Sequence, residues 1–243
     1  METFASWDVS ATAVSGYERL AVTERKLVSV VTGTYQRHEL LLGAIENVRQ
    51  QTYRPLEHVI VADGPDDDLE ALLEDSLGDY VSAIAERVEG GDPDFFVPIR
   101  FAELGFWSSV LLTNSISAAP FMTAQLLARG EYQITLSDDE RFLDPDAITK
   151  LVDVLESYEA DFSYSKAELT FAWNNPPTVI GTDPPQSGQI TQFLYRREML
   201  DKGMLFRTHV GNATDWDAVS RTIARNGRWA FVPEVLVTHR CDK

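Results

Sequence analysis

"LVSVVTGTYQRHELLLGAIENVRQQTYRPLEHVIVADG", residues 27–64, is the stretch from which the architecture can be read. It opens on a β-branched run, Leu27 to Tyr35, with no polar alternation, the profile of a strand buried on both faces. Residues 37–51 then place Leu41, Leu42, Ile45 and Val48 on one helical stripe. Residues 56–64 return to an apolar strand that breaks at Gly64. Strand, helix and strand at this spacing imply parallel strands joined by right-handed crossovers. "DDDLEALLEDSL" (66–77) predicts a second helix with acids in its first turn, where the helix dipole favours them.

The alternation continues downstream. Residues 96–104 are a candidate third strand, and 108–130 are mostly helical in character with Pro120 interrupting them. Residues 131–139, "EYQITLSDD", form another strand, and 144–158 a helix with Asp144 as N-cap and Pro145 in its first turn. The texture then changes. "DFSYSKAELTFAW" (161–173) reads as antiparallel strand, and 190–200 are strand-like again. Between them, 174–189 are rich in Pro, Gly and Asn, which suits either an acceptor-site lid or a disordered loop. Residues 215–227 make a helix stopped by Asn226-Gly227, and 228–240 close the chain as strand. The expectation is an α/β protein with a mostly parallel half over 26–143. One sheet continues from it into a mixed half over 144–243, and an N-terminal arm occupies 1–25.

Composition narrows the function classes. At 243 residues and 44% apolar, the chain can bury a sizeable core. Acids outnumber bases 38 to 21, for a formal net charge of −17. That argues against nucleic acid and anionic membrane as partners, and leaves room for a local basic pocket. Cys241 is the single cysteine, which excludes an internal disulfide framework and a cysteine zinc site and fits a reducing compartment. No apolar run reaches a membrane span, and the N-terminus lacks a basic-then-apolar pattern. The protein expected is cytoplasmic, without an integral membrane segment.

"ITLSDDERF" (134–142) raises the chemical question, because Asp138, Asp139 and Glu140 follow directly on a buried strand. Either they form a solvated turn, or a positive group meets them. Ligands of open parallel sheets bind beyond the carboxyl ends of the strands. Asp63, the Asp138–Asp139 pair and Asp215 all fall at such ends or at a loop–helix junction. A carboxylate pair there suits a hard divalent cation that shares a substrate's phosphates.

The residues resemble the family 2 inverting glycosyltransferases of the GT-A fold. Residues 27–64 follow that family's opening: a strand into Thr-Tyr, an Arg, a helix ending in Gln-Thr-Tyr, and a strand ending in Asp-Gly. "ARGEYQITLSDDERFLDPDAI" is similar to its Gly-Glu-Tyr strand and acidic metal motif, and "TDWDAVSRTIARNGRWAFVPEVLVTHR" to its base-bearing helix and a closing strand that ends in His. The resemblance spans roughly 27–170 and 211–240. It implies a Rossmann-like nucleotide half and an acceptor half, with Mn2+ or Mg2+ as cofactor. The substrates implied are a nucleotide-diphosphate sugar, UDP- or dTDP-linked favoured and GDP possible, and an unknown acceptor. It also implies roles: Thr34, Tyr35 and Arg37 line the turn that meets the nucleotide, Asp63 accepts from a base N–H, and Asp138 sits near the ribose. Asp139 ligates the metal, His239 is a second ligand, and Asp215 is the catalytic base. Without the resemblance, His239 reads more simply as a strand-end surface residue. The neighbouring Asp217 is expected to cap the helix or to pair with Arg221.

The chain also departs from the family pattern. Ser137 replaces an acid of the usual motif, Phe121 and Met122 stand where many members carry Arg-Asn, and Thr214 replaces the acid before the base. The diphosphate then needs positive charge from the metal, Arg141 or Arg240, or the donor differs from the usual ones. A nicotinamide-binding Rossmann enzyme is excluded because "TGTYQRHE" offers one Gly and then bulk. A magnesium-dependent phosphoryl-transfer domain would leave the "DWD" helix and His239 unused. A nucleotide-binding but catalytically altered relative is the remaining alternative. Trp173, Trp216 and Trp229 read as core residues before they read as a sugar platform.

Overall fold

The computed structural model describes residues 25–69, 71–73, 75, 97, 99–104, 118–171, 176–187, 192–210 and 214–240. Nearly all of the expected N-terminal arm, Trp173 and the first part of the 108–130 segment lie outside them.

The β-branched opening run becomes β1 (Val28–Thr34), buried at every position. It can be buried on both faces because its two sets of side chains enter different cores. Val30 packs with α1 (His38–Arg49), whereas Val31 packs on the opposite side with Phe121 and Ala124. β2 (Leu56–Ala62) runs parallel to β1, and β3 (Ile99–Glu103) parallel to β2. On the other flank of β1 lies β4 (Tyr132–Thr135), also parallel. Residues 67–69 and 71–73 are helical, and Leu69 and Leu73 pack with Leu41, Ile45 and Ile60.

The second half adds β5 (Glu140–Phe142), β6 (Phe162–Thr170), β7 (Thr178–Ile180), β8 (Phe193–Arg196) and β9 (Trp229–Arg240). Among the described residues, the nine strands make one sheet in the order β3-β2-β1-β4-β8-β6-β9-β5, with β7 on β6. β8 crosses between the halves by pairing antiparallel with both β4 and β6. Helices α1 and α3 (Ala147–Ser157) pack on one face, and α2 (Ala118–Leu127) and α4 (Thr214–Ile223) on the other. The α/β sheet expected from the sequence, mostly parallel and continuous with a mixed half, is therefore present.

Several boundaries differ from expectation, each for a local reason. β4 ends at Thr135, so Asp138 and Asp139 fall in the turn before β5, a three-residue strand that Glu140 begins and that is too short to show a period. Pro120 does not break the described helix, which runs through it from Ala118 to Leu127. α3 starts at Ala147, because the Asp144 carboxylate accepts from Asp146 N–H and Lys150 rather than capping the helix directly. The strand-like run 190–200 stops at Arg196 and passes into a 3-10 turn (Arg197–Met199) and a π turn (Leu200–Met204). β6 is antiparallel to β7 and β8 but parallel to β9, and the register skips Pro233 and Glu234, a bulge of the kind that accommodates proline. β7 shows that the described part of 174–189 includes ordered strand. α4 ends as its sequence predicts: Asn226 is left-handed at φ 62°, Asn226 N–H donates to Ile223 C=O, and Gly227 N–H donates to Thr222 C=O. Trp216 and Trp229 pack against the core, and Trp229 Nε1 donates to Asp183 Oδ1 at 3.0 Å.

β2 also buries His58 completely. Thr32 Oγ1 donates to Leu136 C=O at 2.7 Å and so accepts from His58 Nε2–H at 2.9 Å, while the imidazole Nδ1 is buried without a hydrogen-bond partner for a second proton. Burial pushes its pKa down to about 3, with the Arg49 charge adding to the effect. The unfolded chain takes up a proton near pH 6.5 that the native state refuses, so this contribution to stability is lost as pH falls below 6.5. Asp138 and Asp215, both pushed up to about 6, act with the opposite sign in the same window. The comparison must therefore be differential. The stability gap between the parent protein and His58→Gln in urea unfolding should narrow by about 1.4 kcal/mol per pH unit well below pH 6.5. A gap that stays constant from pH 7 to 5 would mean that His58 is charged in the fold.

Candidate active site

The carboxyl ends of β1, β2 and β4, the end of β9 and the start of α4 converge on a cleft of about 470 Å³. Parallel strands end on one edge, so residues far apart in sequence meet there. Thr34, Tyr35 and Arg37 come from the β1–α1 turn, and Asp63 from the end of β2. Asp138 and Asp139 come from the turn after β4, Asp215 from α4, and His239 from β9. All eight residues singled out in the sequence line this one cleft.

The turn after β1 is shaped by Gln36, left-handed at φ 50°, beside a half-exposed Tyr35. Arg37 then reaches the acidic turn: Nη1 donates to Asp138 Oδ1 at 2.8 Å and Nη2 to Asp139 Oδ2 at 2.7 Å. The positive group that meets the strand-end acids is thus Arg37. Thr34 Oγ1 donates to Asp138 Oδ2 at 2.8 Å, so both oxygens of that buried carboxylate are engaged. Burial raises the Asp138 pKa to about 6 despite the opposing pull of Arg37 and Thr34. Asp63 is buried beside them, its N–H donating to Thr34 C=O at 2.8 Å.

Arg141 does not serve as cleft charge. Its guanidinium donates to the carbonyls of Asp138, Glu140 and Leu40, which ties the acidic turn to α1. Sequence reasoning also missed the role of Glu140. The residue is 2% exposed; Oε2 accepts from Ser137 N–H at 2.8 Å, and Oε1 faces His239 Nδ1 at 3.1 Å. The signal was present in the run "DDE", but only the pairing of β5 with β9 sets Glu140 opposite His239. Burial lowers the His239 pKa, and Glu140, Asp139 and Asp215 more than offset this, so the net shift is upward.

Asp215 stands in the first turn of α4, where its Oδ1 accepts from Trp216 N–H at 2.7 Å. Burial, with Glu140 nearby, pushes its pKa up to about 6 against the pull of the Trp216 N–H. Asp217, two residues on, is committed elsewhere: it accepts from Arg207, and from Arg221 Nε at 2.8 Å. It does not line the cleft.

Asp139 carries the observation that bears on a metal. Its Oδ1 is buried without a hydrogen-bond partner, while Oδ2 is held by Arg37. A buried carboxylate oxygen left open at a strand end suits a hard cation. Among the described residues, no three His, Cys, Asp or Glu side chains are grouped to enclose an ion. An ion held by Asp139 would take further ligands from water and a substrate's phosphates, as magnesium-type ions do.

Residues 29–94 match the family described as Glycosyl transferase family 2. The chain is 30% identical over 132 residues to the glucosyl-dolichyl phosphate glucuronosyltransferase of Haloferax volcanii, covering 54% of this chain and 34% of that one. In fold it is similar to Staphylococcus aureus TarS residues 1–349 in complex with UDP-GlcNAc, with TM-score 0.64 at 13% identity, covering 89% of this chain and 59% of that one. It is also similar to the mannosyltransferase PcManGT of Pyrobaculum calidifontis in complex with GDP-Man and Mn2+, with TM-score 0.61 at 18% identity, covering 89% and 57%. The chain has the GT-A glycosyltransferase fold. The resemblance to the family 2 glycosyltransferases read from the sequence holds. This GT-A chain spans about a third of the curated relative and under two thirds of these solved chains. Among its described residues, no helix is long and apolar enough to cross a membrane.

The arginine clamp on Asp217 makes a structural prediction. Burial raises the Asp217 pKa, but the bonds from Arg207 and Arg221 outweigh it and the net shift is downward. Its stabilisation is therefore present above the unfolded value near pH 4 and lost as pH falls through the lower native value. Asp217→Asn should cost about 1 kcal/mol through the Arg221 side of the clamp, read as a lower urea midpoint at pH 7. An unchanged midpoint would show that the clamp contributes nothing.

Proposed function

We propose that the chain catalyses metal-dependent, inverting transfer of a sugar from a nucleotide-diphosphate sugar to an acceptor hydroxyl. The observation that carries this reading is the buried Asp215, proton affinity raised, in the same cleft as the strand-end pair Asp138–Asp139. A general base works best with a pKa near the operating pH, and a value of about 6 leaves Asp215 ionised at neutrality yet more basic than an ordinary aspartate.

Each residue then has a task. Asp63 accepts from a ring N–H of the base, which favours uracil or thymine and allows guanine. Asp138, positioned by Thr34 and Arg37, faces the ribose. Asp139 holds the divalent cation, with His239 as second ligand and Glu140 on the other side of the imidazole, as carboxylates often stand behind metal-bound histidines. When bound, Mn2+ or Mg2+ supplies positive charge against the charge that develops on the leaving diphosphate. Asp215 takes the proton of the acceptor hydroxyl as its oxygen bonds to the anomeric carbon. The bond from that carbon to the diphosphate breaks, and a single displacement inverts the centre.

A second reading, nucleotide binding without efficient transfer, draws on Phe121, which fills the place of an expected Arg and packs against Phe206. Variants separate the two. Asp215→Asn should lose about 10²–10⁴-fold of nucleoside diphosphate release from a nucleotide sugar with Mn2+ and acceptor. It should still bind Mn2+ with the diphosphate, which Asp139→Asn should not, and parent turnover should fall as pH drops below about 6. Full turnover by Asp215→Asn would remove it as the base, and a parent that binds nucleotide but never releases product would favour the second reading.

A further inference from the structure

Among the described residues, the cleft sets five carboxylates, Asp63, Asp138, Asp139, Glu140 and Asp215, against one arginine and one histidine. The arginine is fully committed to two of them. One planar guanidinium bridges Asp138 and Asp139 at 2.8 and 2.7 Å, each carboxylate taken by a different Nη of its rigid fork. Those carboxylates are only 4% and 10% exposed, so without Arg37 two like charges would face each other in a desolvated turn. Yet the bridge uses only half of Asp139, whose Oδ1 stays buried and unpartnered. Arg37 itself is 38% exposed at the N-cap position of α1, with a long unbranched side chain that can move without disturbing the core.

These facts describe a site that is charge-balanced by the protein's own cation but incompletely coordinated by it. We propose that Arg37 is a built-in counter-ion: it holds Asp138 and Asp139 in place while no metal is present, and yields Asp139 when a divalent cation enters. Ion and guanidinium then compete for one carboxylate. This rests on the reading of Asp139 as a metal ligand, and it adds a consequence with an unusual sign. If Arg37 only shaped the turn, removing it would scatter the carboxylates and weaken cation binding. As a competitor, its removal strengthens cation binding.

The test is calorimetric titration of Mn2+ alone into the nucleotide-free parent, Arg37→Met, Arg37→Lys and Asp139→Asn, with a further titration of the parent in the presence of UDP. Arg37→Met should bind Mn2+ about tenfold or more tightly than the parent, the size expected when one charge-assisted hydrogen bond no longer has to be broken. Arg37→Lys, which keeps the charge but loses the fork, should fall between them, and Asp139→Asn should bind none. Thermal melts supply a second readout, with a larger Mn2+-induced rise in Tm for Arg37→Met than for the parent. Should Arg37→Met fail to fold, Arg37→Lys carries the same comparison. Affinity in the variants equal to or below that of the parent would overturn the counter-ion while leaving the metal site standing, provided the parent takes up Mn2+ with UDP. A gain in Arg37→Met with none in Arg37→Lys would mean that distant charge, not occupancy of Asp139, sets the affinity, and would also overturn it. A parent that binds Mn2+ neither alone nor with UDP would overturn both readings.

Discussion

Negative charge gathered at the carboxyl edge of the sheet is the constraint around which this molecule is arranged. Parallel strands deliver their ends to one side, and here the ends of β2 and β4 bring Asp63, Asp138 and Asp139 to one cleft, with Glu140 and Asp215 also lining it. Desolvated carboxylates resist ionising, which is why Asp138 and Asp215 are both pushed up to about 6. Every nearby cation or dipole answers that charge. Arg37 bridges two acids, His239 faces Glu140, and the N–H groups of Ser137 and Trp216 donate to Glu140 and Asp215. Arg141 works one layer further out by tying the carbonyls of the acidic turn to the carbonyl of Leu40 on α1. Its guanidinium lies against Gly43, where even a Cβ would come within 2.4 Å of Nη2.

What could be read from the sequence was whatever its neighbours along the chain determine. β1 and β2 announce themselves because burial on both faces removes polar alternation, and α4 stops at Asn226-Gly227 because the left-handed turn there needs such residues. The strand-end acids were legible for the same reason, since a run such as Ser137-Asp138-Asp139-Glu140 has no place inside a strand. Features set by distant partners were not legible. Gln125 and Gln133 look like surface residues in sequence. Both are buried: Gln125 Nε2 donates to Tyr195 OH at 2.7 Å, Tyr195 OH donates to Gln133 Oε1 at 2.9 Å, and Gln125 Oε1 accepts from Phe206 N–H at 2.9 Å. This network carries Phe206 to the cleft wall, and no periodicity could reveal it, because its members come from three separate elements. Glu140 stood out as one of three acids, but its role was not legible for the same reason: it depends on a strand pairing 99 residues away.

The two aspartates at the start of α4 show how little sequence distance decides chemistry. Asp215 and Asp217 share a helix turn and a residue type, and both feel burial as an upward push. For Asp217 two arginines reverse that push, leaving a weakly basic carboxylate fixed in a clamp. For Asp215 no arginine among the described residues does so, and the neighbouring Glu140 adds to the rise. A residue meant to accept a proton benefits from the second environment and is disabled by the first.

The same reasoning gives weight to the chain's departures from the family pattern. Where many relatives of this kind carry Arg-Asn, Phe121 lies against β1 so closely that a Cβ on Gly33 would sit 2.9 Å from its ring. Gly33 therefore leaves room for the Phe121 ring to lie against β1. On this side the cleft wall is apolar, built from Pro120, Phe121 and Phe206. A diphosphate entering it meets a surplus of carboxylates, one arginine already bonded to two of them, and a histidine facing a third. On the reading proposed above, a bound divalent cation would supply the positive charge that this wall lacks, and the open oxygen of Asp139 is where it would be held.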